Sequence, residues 1–419
     1  MTGSRPDRGR PQHLRRPTRH RTRTGPGPRR ARRHPATVLA LGLAGALSGL
    51  ALAGCIAKPA QHPAADPRPT RSAWPAWNVL CPVQPSPSLT AELGRTVAES
   101  QDGEVIPLGT SADGNTAYVS AWTPGFSGVA ALNLATGALR QIQPFQNPVD
   151  DQADGSSDGR WLAWDETYSL SSLDNFTVYA WDSAGGRLLT LGHSLAGPGG
   201  TAWPSPWHPP AVSGHYAAWA QGYGPGGEVE VRLADLATGQ VRVIRQGHTQ
   251  PPFFDQNLVV WPESDRPGTQ TTLHALSLTT MRPAALPPVL RAVHGTEFVV
   301  TDGTRTAYLN PAMTSLYYSP AQDVRAREVL RLPAGTYFAA LAMGPGTLAW
   351  TTTAATYIAS TNTGGYVKVT PEYGDATGSE TAVLISDAAS QKVAHPILPL
   401  HVISPAQVTW PACPARAGR

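Results

Sequence analysis

Four acids, Asp150, Asp151, Asp154 and Asp158, lie close together among Gly155 and Gly159, a run of hard oxygen donors that suits calcium. Counted from Asp150, the twelfth residue is Trp161 where an EF-hand loop needs a bidentate Glu, so a calcium site here would be irregular. A solvated acidic loop is the competing reading. Gly192-His193-Ser194-Leu195-Ala196-Gly197 approaches the G-x-S-x-G pattern that exposes a nucleophilic serine, but Ala196 replaces its last glycine. The Gly-Pro-Gly-Gly that follows cannot build the helix such a serine needs. His193, His208, His215, His248, His274, His294, His395 and His401 are scattered without the paired spacing of a zinc site. No residue is therefore assigned a catalytic role. Trp203, Trp207 and His208, with Phe253-Phe254-Asp255, combine aromatic and polar groups beside prolines just ahead of β-prone runs. They form the candidate ligand-binding rim.

Cysteine divides the chain chemically. Residues 38–54 are apolar but too short and too rich in Ala and Gly for a membrane span of roughly 20 residues. The run Leu52-Ala53-Gly54-Cys55 that closes them resembles a bacterial lipobox. That resemblance implies a signal peptide over residues 1–54, lipidation at Cys55 and a membrane anchor on the extracytoplasmic face; an amino-terminal transmembrane anchor is the alternative. The arm before the apolar stretch, Met1 to His34, carries twelve arginines and a single acid, Asp7. With the leader removed, 21 of the 33 basic and 28 of the 29 acidic residues remain, a net charge near −7. The basic character of the full chain thus belongs to the leader, and nucleic acid is not an expected partner. The remaining cysteines, Cys81 and Cys413, are an even pair in an exported chain and suggest a disulfide, with two separate thiols as the alternative.

Beyond a Pro- and Ala-rich tether over residues 55–76, one pattern recurs: a Gly, Asp or Asn turn, a short β-prone run ending in Trp, then further strands. Its anchors are Trp122, Trp164, Trp219, Trp261, the Trp-less copy at Gly295 to Val300, Trp350 and Trp410, spaced by roughly 40 to 60 residues. The runs Val129 to Gly137 and Val231 to Gly239 are near copies, each an alternating strand entering an Ala-Thr-Gly turn. Pro and Gly number 41 each, which argues against long helices. The aligned tryptophans are expected to pack the core.

The Ser-x-Asp-Gly turn, Ala-Trp strand and Asp/Asn-Leu-Ala-Thr-Gly hairpin resemble TolB-like and other WD-type β-propeller repeats. The resemblance implies an all-β propeller of four-stranded antiparallel blades over residues 77–413, followed by a tail at 414–419. Seven blades are expected and six are the alternative. The strand Gln407 to Trp410 lacks partners after it in sequence, so residues 77–99 are expected to complete a composite blade pinned by Cys81 and Cys413. The expected function is a monomeric, noncatalytic module that binds a protein, peptide or glycan of the envelope and needs no cofactor beyond, at most, calcium. An envelope hydrolase or lyase with residues dispersed over the blades is the alternative.

Overall fold

The computed structural model describes residues 74–95, 104–147, 151–168, 174–204, 209–266, 270–296, 298–371, 373–387, 400–405 and 408–414. Cys55, Asp150, Trp207 and His208 lie outside the described residues. Alternating runs bounded by turn residues become antiparallel strands in sequence-ordered groups. The first group is Glu104–Thr110, Thr116–Thr123, Phe126–Asn133 and Leu139–Pro144; the second is Gln152–Ser157, Trp161–Thr167, Phe176–Asp182 and Leu188–His193. Ala211–Ser213, Tyr216–Gly222, Val229–Asp235 and Gln240–Thr249 form the third, and Phe253–Asp255, Leu258–Ser264 and Thr272–Ser277 the fourth, the two joined into one seven-stranded sheet where His248 and Thr249 pair with Ser264 and Glu263. Val299–Thr301, Thr306–Leu309, Ser315–Ser319 and Arg327–Arg331 form the fifth. Phe338–Gly344, Thr347–Thr352, Thr356–Ser360 and Gly365–Thr370 form the sixth, and Gly374–Gly378, Val383–Asp387 and Leu400–Ile403 the seventh. The first strands of successive groups lie against one another in cyclic order, and Gly374–Gly378 returns to touch Glu104–Thr110. A ring of radially stacked antiparallel sheets is a β-propeller.

Local chemistry explains the repeated hairpin. Asn133 Oδ1 accepts the amides of Ala135 and Thr136, and Asp235 Oδ1 accepts those of Ala237 and Thr238, so each acid or amide organises its own turn. The turns finish at Gly137 and Gly239, with φ of 71° and 75°, a left-handed conformation that favours glycine.

Trp122, Trp164, Trp219, Trp261 and Trp350 occupy the second strand of their groups, whereas Trp410 does not, and Trp164, Trp219, Trp261 and Trp350 are buried between sheets. Each faces a side chain directly across on the third strand: Trp164 stacks on Tyr179 with centroids 5.4 Å apart, and Trp350 on Tyr357 at 5.5 Å. In the fifth group Tyr308 stands at this position and stacks on Tyr317 at 5.1 Å. The fifth group therefore keeps the aromatic pair with a different ring, while the copy expected at Gly295 to Val300 leads into its first strand, not its second.

Closure of the ring departs from the sequence expectation. Among the described residues, 77–95 supply no strand to the seventh group. Instead Cys81–Pro82 adds in parallel to the outer edge of the sixth group, opposite Gly365 and Tyr366. The prolines that follow cannot donate to a ladder, and the chain turns into the helix Pro87–Leu93, capped by the Ser86 side chain on the amide of Leu89. Leu89 enters the core shared by the sixth and seventh groups, beside Val367, Val383 and Ile403. Val408, Thr409 and Trp410 form no strand; Thr409 is held by the hydroxyls of Ser86 and Ser88. The disulfide Cys81–Cys413 is present, joining Cα atoms 5.8 Å apart across 332 residues of sequence.

Candidate functional site

Each group begins with a hairpin, and the turns of these hairpins gather at one end of the ring. There they enclose a cavity of about 680 Å³, lined from successive groups by Ser157 and Asp158, Ser213, Phe254 and Gln256, Thr301 to Arg305, Gly344, and Ser379 with Glu380. Short hydroxyl residues at the turns tie neighbouring groups together. Thr110 Oγ1 donates to Ser379 Oγ at 2.7 Å, Ser157 Oγ donates to the Thr110 carbonyl at 3.0 Å, and Thr301 Oγ1 donates to Asp255 Oδ1 at 2.9 Å. The mouth is thus a rigid collar whose polar groups are held by neighbouring blades.

Its charge is mostly negative. Arg305 is occupied by Asp302 and by the hydroxyl of Thr361, leaving Asp158 and Glu380 facing the opening. Burial raises the Asp158 carboxyl above its usual range, while the backbone amides of Trp161 and Arg160 oppose the shift. Burial also raises Glu380, and the nearby Asp158 charge adds to it. At the exposed first-group turn, the Ser111 hydroxyl and the Asn115 amide instead hold Asp113 below the usual carboxylate range.

The sequence-derived rim is split by this arrangement. Phe254 lines the cavity, whereas Phe253, its strand neighbour, points the other way into the core between the fourth and fifth groups. Asp255 is buried and serves the collar by accepting from Thr301 and Gln322. Trp203 sits on the connection into the third group, its amide bonded to the Leu195 carbonyl, apart from the cavity lining. The proposed calcium loop is corrected outright. Gln152–Ser157 is a strand, so Asp151 and Asp158 stand at its opposite ends, roughly 20 Å apart, and cannot wrap one ion. Asp158 belongs to the mouth, and Asp154 stands opposite Asp165 on the neighbouring strand.

A second polar cluster lies at the far end of the second group. Glu166 opposes Thr177, and Thr177 opposes His193, so three side chains form a row across adjoining strands. Tyr168 Oη donates to Thr177 Oγ1 at 2.7 Å, and Thr177 Oγ1 lies 2.8 Å from His193 Nδ1. Burial pushes the Glu166 carboxyl up to about 7; the Gln146 amide pulls the other way without reaching hydrogen-bond geometry, and the Asp151 charge adds to the rise. Ser194 is half-buried just past the end of a strand, its hydroxyl donating to Asn175 Oδ1 at 3.3 Å and accepting from the Phe176 amide at 3.3 Å. Sequence reasoning missed Thr301, Asp302, Arg305, Ser379, Glu380 and Glu166. The recurring turn signature was the one signal for the mouth, and only strand pairing brings Glu166 to Thr177.

No protein-family model matches the chain, and no curated protein matches it either. Among solved structures, the chain is similar to an oligogalacturonate lyase from Vibrio parahaemolyticus, at 12% identity and a TM-score of 0.49 over 74% of this chain and 94% of that one. It is also similar to prolyl endopeptidases, at 14% identity and a TM-score of 0.47 over 76% of this chain and 49% of that one. A third similarity is to the β-propeller domain of the trilobed protease from Pyrococcus furiosus, at 11% identity and a TM-score of 0.39 over 60% of this chain and 92% of that one.

Proposed function

We propose that this chain is an exported, lipid-anchored propeller of seven blades that works as a noncatalytic binding module, taking an envelope protein, peptide or glycan at the channel mouth. The observation that carries the reading is the mouth itself. A cavity of about 680 Å³ is lined by turns of six different strand groups, with one aromatic face at Phe254 and carboxylates at Asp158 and Glu380. Concave sites with an apolar face and a few fixed polar groups suit ligand recognition. Export is supported by the Cys81–Cys413 disulfide, a bond that persists in oxidising compartments, together with the lipobox-like run at Cys55. The acidic balance of the chain after residue 54 favours solubility and gives no support to nucleic-acid binding.

The reading is tested with the full-length protein and variants Phe254→Ala and Glu380→Gln, each compared for ligand recovery from detergent-solubilised membranes and on a glycan array. A ligand retained by the unaltered protein and lost at least tenfold by both variants is expected. Equal recovery by all three would remove the mouth as the binding site, and turnover of the recovered ligand would favour the hydrolase or lyase alternative. Metabolic lipid labelling of Cys55→Ala should vanish; persistent labelling would refute the anchor.

A further inference from the structure

The first two strands of the second group carry three carboxylates, Asp154, Asp165 and Glu166, with Asp151 just ahead of the first strand, and register divides the four into two pairs. Asp154 opposes Asp165 on the face toward the third group. Glu166 opposes Ala153, and Asp151 lies two residues before Ala153, so Asp151 and Glu166 share the opposite face, toward the first group. Asp154 is engaged by the Gln152 side chain at 3.0 Å. Asp165 leaves one buried oxygen unpartnered, whereas the Asp151 and Glu166 pair leaves three.

Glu166 is 0% exposed and Asp151 1%. Neither oxygen of Glu166 has a hydrogen-bond partner, nor does Oδ1 of Asp151; only Asp151 Oδ2 is engaged, by the Asn147 amide. No ion pair among the described residues involves either side chain. Two carboxylates withdrawn from water with three free oxygens between them require a positive charge or a proton, since nothing else offsets their desolvation. Among the described residues their surroundings are rich in oxygen: the Thr177 hydroxyl opposite Glu166, the Tyr168 hydroxyl bonded to it, and the Asn147 carbonyl, which accepts from the Asp151 amide. Such donors favour a hard cation with a flexible shell over a soft one.

We propose that Asp151 and Glu166 bind a calcium ion at the seam where the first and second groups pack. Among the described residues no three His, Cys, Asp or Glu side chains converge to hold a metal, so these two acids supply the charge. Hydroxyls, backbone carbonyls and water complete a shell of roughly six to eight oxygens. The ion would fasten the connection between two blades, a role distinct from ligand binding at the mouth and independent of it.

The test uses full-length protein stripped with a chelator, titrated calorimetrically with calcium and separately with terbium. Trp164 lies two residues from Glu166 on the same face, stacked on Tyr179, and so can sensitise terbium emission. One ion per chain is expected, with sensitised emission and a higher Tm in calcium. Glu166→Gln and Asp151→Asn should each weaken calcium at least tenfold and abolish the emission, while Asp113→Asn, at an exposed turn, leaves both unchanged. The amide variants keep the shape of the site, and near-ultraviolet circular dichroism checks their folding. Absence of saturable binding, or binding undiminished in a folded Glu166→Gln variant, would overturn the assignment.

Discussion

Asp375 shows what a single half-buried acid does to the balance of this fold. It lies on the first strand of the seventh group, where burial raises its carboxyl above the usual range, and Tyr373 feels its charge together with that of Asp154. In the unfolded chain the group regains its ordinary value near 3.9. The folded state therefore binds the proton more tightly, and stability falls as pH rises from that ordinary value through the raised folded one. Asp375→Asn removes the penalty. It should raise Tm at pH 7.5 by on the order of 2 °C, with the gain shrinking to nothing below about pH 4. Thermal unfolding of both proteins across that range checks this; a gain that grows on acidification would contradict the sign.

At the scale of elements, the two ends of the chain act as a staple. Cys81 and Val83 donate to the carbonyls of Gly364 and Tyr366, and Cys413 donates to that of Thr363, so both ends grip the outer edge of the sixth sheet, while Leu80 donates to the Val329 carbonyl of the fifth. The disulfide then closes a loop of 332 residues, which the chain-entropy model values at roughly 6 kcal/mol. Cys413→Ser should lower the denaturant midpoint of the oxidised protein toward that of reduced wild type. Equal midpoints for oxidised wild type and variant would show that backbone pairing alone secures the ends. The cysteines were legible in the sequence because composition and compartment point to them. The partner sheet was not, since Cys-Pro-Val-Gln-Pro-Ser-Pro reads equally as an irregular strand or a helix entry. Only the Ser86 cap and the burial of Leu89 decide in favour of the helix.

At the scale of the whole molecule, the sheets depend on one another, which explains both what the sequence disclosed and what it withheld. The second-strand tryptophans and the Ala-Thr-Gly turns announced the repeat because local packing and turn geometry demand those residues wherever they recur. The mouth could not be read, because Ser157, Thr301 and Glu380 become neighbours only when the ring closes. Closure rests on the seventh group. Leu384, Leu400 and Val402 pack with Val105 and Val119 of the first group, while Val383, Ile385 and Ile403 pack with Ala349 and Ile358 of the sixth. Alternate residues of the same strands thus fill two different cores, and removing them exposes apolar faces on both sides of the gap. A chain ended after Pro371 keeps Cys81 but loses this group and Cys413. It should associate or precipitate where the disulfide variant, with its ring intact, remains monomeric. Size-exclusion chromatography with light scattering separates the two outcomes. A soluble, monomeric truncation with native near-ultraviolet circular dichroism would mean that the first six groups form a self-sufficient open array, and that closure of the ring serves the mouth more than stability.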